Sequence, residues 1–283
     1  MKYKLVAYDL DGTLINKNQE IAQSAIDAMK KLNDIGVMNV LTTGRSFFVI
    51  PNAIKECDYI NYGVMTSGAC IYDKTEQSLK YNSLISKEEL VSMTELIHKY
   101  DGALLAFFNN GVVYETNVIN KARQKIVDMK RKEGATNIYV CDDASETYGI
   151  LHGLEKITFE YDSKYIKEIE EGLKKIGEYE AISLISPLSE DKNGKSLCIT
   201  EINRKGISKG NGLRQLCKKL NINLEETIAF GDSENDLPLF EIVGYSVAMG
   251  NGSNKAKEKA NFVTKDIDED GIAFALNKIF DID

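Results

Sequence analysis

Two aspartates stand one residue apart just after the first apolar segment of the chain, in VAYDLDGTLI (residues 6–15). Residues 3–8 are predicted to form a short buried strand, and a strand covered by helices normally keeps charge away from its buried end. Asp9 and Asp11 therefore lie either in an ordinary turn, which Asp-Gly and Thr favour, or beside a compensating positive charge. A carboxylate in such a place can ligate a metal ion or act as a nucleophile.

Further polar residues accumulate where two other predicted strands end. Thr42-Thr43-Gly44-Arg45 closes the strand over 37–42, and Gly231-Asp232-Ser233-Glu234-Asn235-Asp236 follows the strand over 227–230. Each set taken alone is compatible with turn or helix-cap chemistry. Ligands of open α/β sheets bind beyond the carboxyl ends of the strands, so three such sets at three strand ends predict one shared site.

The residue types in these sets fit phosphoryl transfer assisted by Mg2+. This ion prefers a few carboxylate ligands and keeps water and phosphate oxygens for the rest of its octahedron. A carboxylate can attack phosphorus once the negative charge of the phosphoryl group is neutralised, which requires a cation, a hydroxyl and backbone N–H groups. Thr43 offers the hydroxyl, the Gly12-Thr13 turn offers N–H groups, and Lys209 at a predicted helix start offers the cation.

With these residues identified, the chain resembles the haloacid dehalogenase (HAD) superfamily, in particular the Cof-like phosphatases with a large α+β cap between the second and third motifs. DLDGTL resembles the first motif, TTGR the second, KG the third, and GDSENDLPLF followed by AMGNG the fourth. The resemblance covers essentially all 283 residues. It implies a Mg2+-dependent phosphatase that hydrolyses small phosphorylated metabolites, with sugar phosphates as the first choice, through an aspartyl-phosphate intermediate.

The resemblance also implies a role for each motif residue. Asp9 would be the nucleophile, and Asp11 would be the general acid for the leaving oxygen and then the base for the incoming water. Thr43 would bind the transferring phosphoryl group, with Thr42 as the alternative if the strand ends one residue earlier. Lys209 would hold phosphate oxygens and orient Asp9.

The metal ligands implied by the resemblance are the carboxylates of Asp9 and Asp232 and the main-chain carbonyl of Asp11. Asn235 and Asp236 would orient these ligands or bind water on the metal, since metal ligands need such support.

Two further residues, Arg45 and Asn251, have two interpretations each, and a third, Ser67, departs from the residue usual in the family. Arg45 either contacts a substrate phosphate or sugar, or forms an ion pair at a helix start. Asn251 either closes the rim of the site or belongs to an ordinary Asn-Gly turn. Ser67 lies in Ser67-Gly68-Ala69, where Cof-like relatives usually have Asn-Gly-Ala, and its hydroxyl can still donate one hydrogen bond to a substrate.

The elements that position these residues alternate between strand and helix at both ends of the chain. This alternation over 1–81 and 191–283 predicts a Rossmann-like α/β core with a parallel sheet, assembled from two separated segments. Residues 82–190 have a different pattern, with a hairpin at Asn109-Asn110-Gly111 and a helix over 118–133. They predict an inserted α+β domain, which the resemblance identifies as a substrate-specificity cap.

The composition excludes several classes of partner. The chain has 35 basic and 43 acidic residues, a formal charge of −8, which gives no electrostatic footprint for nucleic acid. There is neither an apolar run of about 18 residues nor a signal-peptide pattern, so no membrane span and a cytoplasmic location are expected. Its five cysteines and two histidines lack zinc-ligand spacing. The expected partner is a small phosphorylated metabolite, and the oligomeric state is left open.

Two other functions would use the same motifs. A phosphosugar mutase would keep the aspartate pair but capture the phosphoryl group with a substrate hydroxyl in place of water. A non-catalytic sensor of phosphorylated metabolites would use the fold for binding alone. Because a sensor has no need of both Asp9 and Asp11, an enzyme is favoured, whereas the motifs do not separate phosphatase from mutase.

Overall fold

The structure, a computed structural model, describes residues 2–81, 83–116, 124, 127, 128, 131, 137–190 and 196–282. The chain divides into two compact units. The core unit combines Met1–Asn82 with Ser208–Asp283, and the insert unit is Ser83–Ile207. Each unit has its own sheet and its own cluster of buried apolar side chains.

The elements are numbered along the described chain. The strands are β1 (Leu5–Asp9), β2 (Met38–Thr42), β3 (Tyr62–Met65), β4 (Cys70–Asp73), β5 (Ser78–Tyr81), β6 (Ala103–Phe108), β7 (Gly111–Glu115), β8 (Ile138–Cys141), β9 (Leu154–Asp162), β10 (Tyr179–Glu190), β11 (Ser196–Arg204), β12 (Thr227–Gly231), β13 (Tyr245–Ala248) and β14 (Phe262–Val263). The helices are α1 (Gln23–Asp34), α2 (Asn52–Glu56), α3 (Lys87–His98), α4 (Ile166–Ile176), α5 (Lys209–Leu220), α6 (Leu237–Phe240), α7 (Asn254–Lys259) and α8 (Gly271–Phe280).

The core unit contains an eight-stranded sheet in the order β14-β13-β12-β1-β2-β3-β4-β5. The strands from β14 to β3 pair in parallel, and β4 and β5 are antiparallel additions at one edge. Every residue of β1 is buried, as expected for a parallel strand covered on both faces. The predicted fold class, an α/β core with a parallel sheet and an inserted α+β domain, is confirmed.

Side chains of β1 alternate between two apolar clusters, one on each face of the sheet. Val6 and Tyr8 belong to the cluster that contains residues of α1 and α8, and Leu5 and Ala7 to the cluster that contains residues of α5. Because successive strand residues point to opposite faces, both faces of β1 are anchored by burial. This burial fixes the position at which the strand ends, and Asp9 is its last residue.

The insert unit contains a six-stranded sheet in the order β10-β11-β9-β6-β7-β8, and residues of α3 and α4 contribute to its apolar cluster. The predicted hairpin is present, since β6 and β7 pair antiparallel across Asn109-Asn110. The predicted helix over 118–133 falls largely outside the described residues.

The second predicted domain boundary, between 190 and 191, is wrong. Strand β11 lies beyond that point, yet it pairs with β10 on one side and β9 on the other, so it is an interior strand of the insert sheet. The insert unit consequently ends at Ile207, and it begins at Ser83, one residue after the predicted start.

Two of the short helices are preceded by 3-10 turns. The turn Phe47–Val49 comes before α2, and the turn Glu234–Asp236 comes directly before α6. Within the described part of the chain, we find no helix long and apolar enough to cross a membrane.

Candidate active site

The site forms at the carboxyl end of β1, between the ends of β2 and β12. The register pairs Asp9 with Thr42 on one side, and Tyr8 with Phe230 on the other. The loops that follow these three strands therefore start at the same level and meet at one edge of the sheet. The three polar sets identified in the sequence are brought together there.

The loop after Asp9 turns tightly on its own backbone. Leu14 and Ile15 both donate backbone N–H groups to the Leu10 carbonyl, at 3.0 and 2.9 Å. Gly12 has a φ of +78°, and a Cβ at this position would lie 2.7 Å from Oδ2 of Asp232. Glycine is therefore required both by the backbone conformation and by the close approach of the carboxylate.

Lys209 is the first residue of α5 and carries the buried positive charge of the site. Its Nζ lies 2.6 Å from Oδ1 of Asp9, 2.7 Å from Oδ1 of Asp236 and 3.2 Å from Oδ1 of Asn235. Its side chain is 2% exposed. Ser208 caps the helix by accepting the backbone N–H of Asn211, which fixes where α5 starts and hence where Lys209 points.

Asp236 organises the loop after β12. Its Oδ2 accepts the backbone N–H groups of Asp232 and Ser233, at 3.0 and 3.1 Å, while its Oδ1 accepts from Lys209. Both of its oxygens are thus engaged within the protein. Oδ1 of Asp232, by contrast, is buried and has no hydrogen-bond partner among the described residues.

Three carboxylates, those of Asp9, Asp232 and Asp236, form the group that could hold a metal ion among the described residues, with ligand oxygens within 4.8 Å of one another. Burial raises the pKa of Asp9 to about 8, although Lys209 acts in the opposite direction. Burial and the nearby Asp236 charge also raise the pKa of Asp232. Lys209 is the one cationic side chain that contacts this cluster among the described residues, and the unpaired oxygen of Asp232 fits a hard cation such as Mg2+.

Burial alone would lower the pKa of Lys209, but the carboxylates of Asp9 and Asp236 raise it above its ordinary value. The lysine therefore remains a cation in the folded protein. Its three N–H donors face oxygens of Asp9, Asp236 and Asn235, so a phosphate oxygen that contacts Lys209 would share or replace one of these bonds.

The two threonines at the end of β2 have different partners. The Thr42 hydroxyl donates to the main-chain oxygen of Tyr8 at 3.1 Å, so its proton is committed to the sheet. The Thr43 hydroxyl accepts the backbone N–H of Arg45 at 3.1 Å, and within the described chain we find no acceptor for its own proton. Of the two, Thr43 is the better donor to a bound anion.

Asp11 lies apart from the buried carboxylates, and its side chain is 54% exposed. It forms a two-pronged ion pair with Arg45, in which Nε of the guanidinium lies 2.9 Å from Oδ2 and the second nitrogen contacts Oδ1. Of the two interpretations left open for Arg45, the structure shows an ion pair, although Arg45 lies in a loop and not at a helix start.

Ser67 belongs to a strained turn that supports the loop after β2. Thr66, Ser67 and Gly68 have φ values of +49°, +56° and +103°. The backbone N–H of Ser67 donates to the Thr43 carbonyl and that of Thr66 to the Arg45 carbonyl, at 2.8 and 2.9 Å. This supporting role could not be predicted from the sequence, in which Gly68 is the local sign of the turn.

Asn251, predicted at the site rim or in a turn, contacts the loop after β1 directly. Its Nδ2 donates to the main-chain oxygen of Gly12 at 2.7 Å, and its Oδ1 accepts the backbone N–H of Ile267 at 3.0 Å.

The fold is that of an α/β protein with a cluster of charged and polar side chains at the carboxyl edge of its parallel sheet. The sequence profile of the haloacid dehalogenase-like hydrolases matches residues 6–276, and the chain belongs to this family. The resemblance inferred from the motifs is confirmed, as is the predicted enzyme class, a phosphomonoester hydrolase of this family.

Several similar proteins are named as phosphatases. The chain is 27% identical to the phosphatase YwpJ of Bacillus subtilis over 98% of this chain and 99% of that protein. It is 28% identical to the 5-amino-6-(5-phospho-D-ribitylamino)uracil phosphatase YwtE of the same organism, over 98% of each chain. A solved phosphatase of the haloalkanoate (HAD) enzyme superfamily from Bacteroides thetaiotaomicron is 25% identical, with a TM-score of 0.79 and coverage of 99% of this chain and 96% of that one.

Proposed function

We propose that this protein is a Mg2+-dependent phosphatase of small phosphorylated metabolites, with sugar phosphates as the first candidates, and that it acts through an aspartyl-phosphate on Asp9. The observation that carries the proposal is the buried contact between Lys209 Nζ and Asp9 Oδ1, 2.6 Å long, at the carboxyl end of β1. It holds the carboxylate in one orientation and places a cation where a phosphoryl group would meet it.

Metal dependence is supported by the charges at the site. Among the described residues, the site combines four carboxylates (Asp9, Asp11, Asp232 and Asp236) with two cationic side chains that contact them, Lys209 and Arg45. A phosphate ester adds further negative charge, so the site needs a divalent cation to bind it. The carboxylates of Asp9 and Asp232 and the main-chain carbonyl of Asp11 would hold Mg2+. When bound, this ion would supply charge neutralisation for the phosphoryl oxygens.

In the first half of the reaction, an oxygen of Asp9 attacks phosphorus in line with the bond to the leaving oxygen, which takes a proton from Asp11 as that bond breaks. Lys209 and the Thr43 hydroxyl hold the phosphoryl oxygens. In the second half, Asp11 removes a proton from water, which attacks the same phosphorus and returns Asp9 as a carboxylate. Arg45 forms a two-pronged ion pair with Asp11 and so orients its carboxyl group for both halves.

Asp236 and Asn235 support the site from behind. Asp236 fixes the backbone of the Asp232 loop and shares Lys209 with Asp9, and Asn235 accepts from both Lys209 and the Ser233 hydroxyl. We propose that Ser67 contacts the substrate with its hydroxyl. The insert unit is proposed to be the cap that selects the leaving group, and a cytoplasmic location remains a prediction.

The test is phosphate release from a panel of phosphate esters with and without Mg2+. The panel contains sugar phosphates, nucleotides, an aryl phosphate and 5-amino-6-(5-phospho-D-ribitylamino)uracil, the compound in the name of YwtE. We expect release that depends on Mg2+ and is lost on the order of a thousandfold or more in Asp9→Asn, because the nucleophile is removed. Asp34→Asn, an exposed position at the end of α1, is the matched control and should behave like the wild type.

The product separates the alternatives. Free phosphate supports the phosphatase, and an isomerised phosphosugar without free phosphate would support the mutase. Binding of phosphosugars with neither product would support the sensor and contradict both enzymes.

A further inference from the structure

Asn251 connects the loop after β13 to the loop after β1. Its amide nitrogen donates to the Gly12 carbonyl at 2.7 Å, and its amide oxygen accepts from Ile267 at 3.0 Å. Both polar ends of the side chain are therefore used within the core unit. An amide engaged in this way has no full-strength hydrogen bond to offer a substrate without breaking one of these.

The backbone conformation of Asn251 does not explain why an asparagine is present. Tight Asn-Gly turns of the hairpin type place the asparagine at positive φ, and Asn251 is not among the residues with positive φ. A structural turn would therefore accept many residue types at this position. What the amide adds is the pair of hydrogen bonds.

The hydrogen bond from Asn251 acts on Gly12, the glycine of the loop after β1. Gly12 has no side chain and a φ of +78°, and its N–H donates to the Ile15 carbonyl at 3.2 Å. Its carbonyl, on the next peptide group, is held by Asn251. Since glycine is the residue with the widest choice of backbone angles, these bonds decide how the segment from Asp11 to Thr13 is oriented.

The same loop also holds the metal-binding side of the site. The backbone N–H of Ser253 donates to the main-chain oxygen of Asp232 at 2.7 Å, and Gly252 lies against that oxygen. The loop over 249–253 thus fixes the main chain at Gly12 and at Asp232, the two positions that approach so closely that a Cβ on Gly12 would meet the Asp232 carboxylate.

We propose that Asn251 is a positioning residue: through the Gly12 carbonyl it keeps the Asp11 segment aligned with the carboxylates of Asp9 and Asp232. The kinetic part of this inference rests on the proposed phosphatase function. The alignment of the carboxylates does not depend on that function, because it can be measured as Mg2+ affinity in the absence of substrate.

Two variants distinguish the two hydrogen bonds of the Asn251 side chain. Asn251→Ala removes the bonds to Gly12 and to Ile267, whereas Asn251→Asp keeps an acceptor for the Ile267 N–H and loses the donor to Gly12. Asn254→Ala, an exposed asparagine on the same segment, is the control. For each protein, kcat and KM are measured with an aryl phosphate. Mg2+ affinity is measured by isothermal titration calorimetry, and the melting temperature is measured by differential scanning calorimetry.

We expect kcat to fall about tenfold in both Asn251 variants, while KM changes by less than about twofold. A loss of about tenfold is what one hydrogen bond, here the bond to the Gly12 carbonyl, typically contributes. Mg2+ affinity should fall in both, even though Asn251→Asp adds a negative charge that would by itself strengthen binding. The control should match the wild type in all four quantities.

Two results would overturn the proposal. A rise in KM with unchanged kcat would make Asn251 a substrate contact, and a lower melting temperature with unchanged kcat and Mg2+ affinity would make its role purely structural. If the wild type releases no phosphate, the proposed function fails, and Mg2+ calorimetry alone then decides the role of Asn251: weaker binding in both variants supports it and unchanged binding refutes it.

Discussion

At the scale of single residues, the site depends on close packing around Gly12 and on the pairing of the buried charge of Lys209. Lys209 contacts two buried carboxylates, and Gly12 is positioned so that even a methyl group would meet Asp232. Buried charges of this kind are tolerated only while each retains its partners.

Replacement of Gly12 by alanine tests this tight fit. The new Cβ would lie 2.7 Å from Oδ2 of Asp232 and would require positive φ from a residue that disfavours it. We expect phosphate release and Mg2+ affinity both to fall at least about tenfold, because the carboxylate must move, and the free energy of unfolding to fall by about 1–2 kcal/mol. Gly36→Ala, which also has positive φ but no atom within 4 Å of its Cβ, is the control for backbone strain. Equal losses of activity in the two variants would contradict a specific effect of the Asp232 contact.

The residue types of the site could be predicted from the sequence, but their partners could not. Asp9, Asp232 and Lys209 come together because they occupy strand ends and a helix start, which periodicity reveals. The ion pair of Arg45 with Asp11 and the two bonds of Asn251 depend on how loops fold against each other. No local pattern in the sequence encodes such contacts, so both residues had two interpretations.

At the scale of elements, α5 is fixed near both ends. Lys209 binds Asp9 at its start, and Lys219 near its end lies 2.8 Å from Oδ2 of Asp73, the last residue of β4. Oδ1 of Asp73 accepts the backbone N–H groups of Thr75 and Glu76, both at 3.2 Å. Asp73 therefore connects the antiparallel edge of the sheet to the helix that carries Lys209.

This connection should depend on pH. Burial would raise the pKa of Asp73, but the hydrogen bonds from Lys219 and the backbone outweigh burial and hold this pKa below its ordinary value. A depressed pKa in the folded state adds stability at pH values above the unfolded pKa of about 3.9, and this stability is lost as the pH falls through the folded value. We expect Asp73→Asn to lower the free energy of unfolding in urea by about 1–2 kcal/mol at neutral pH.

The difference between Asp73→Asn and the wild type should persist down to about pH 5 and shrink below about pH 4. Asp34→Asn, with an exposed carboxylate, should show no such pattern. A difference that stays constant down to the acid limit would show that the ionised form of Asp73 is not what stabilises the fold.

Long, periodic elements could be predicted from the sequence, and short ones could not. The alternation of β1, α1 and β2 appears as short apolar runs on either side of a segment whose apolar residues repeat with a period near 3.6. The 3-10 turns at Phe47–Val49 and Glu234–Asp236 span three residues each, too few for a period to be recognised. Strand β11 was assigned to the wrong unit because a strand carries no mark of which sheet it will join.

At the scale of the whole molecule, the chain leaves the core unit after β5 and re-enters it directly before α5. Each unit buries its own apolar cluster, so the insert adds to the core without interrupting its sheet. With a net charge of −8, the molecule as a whole repels anions, and binding of a phosphate ester must rely on the local cations of the site. The sequence predicted this organisation apart from the position of the second boundary.

The central claim is a covalent phosphoryl group on Asp9, and trapping it is the most direct test. The Asp11→Asn variant is mixed with an aryl phosphate and Mg2+, and the reaction is quenched in acid. The protein is then digested, and the masses of the peptides are measured by mass spectrometry. An aryl leaving group departs without a proton, so the first step should proceed, whereas water should attack slowly without a base. We predict one added phosphoryl group on the peptide that contains Asp9, absent when Asp9→Asn is introduced as well. Phosphate release by the wild type with no such adduct in Asp11→Asn, or with the adduct on another residue, would contradict the account.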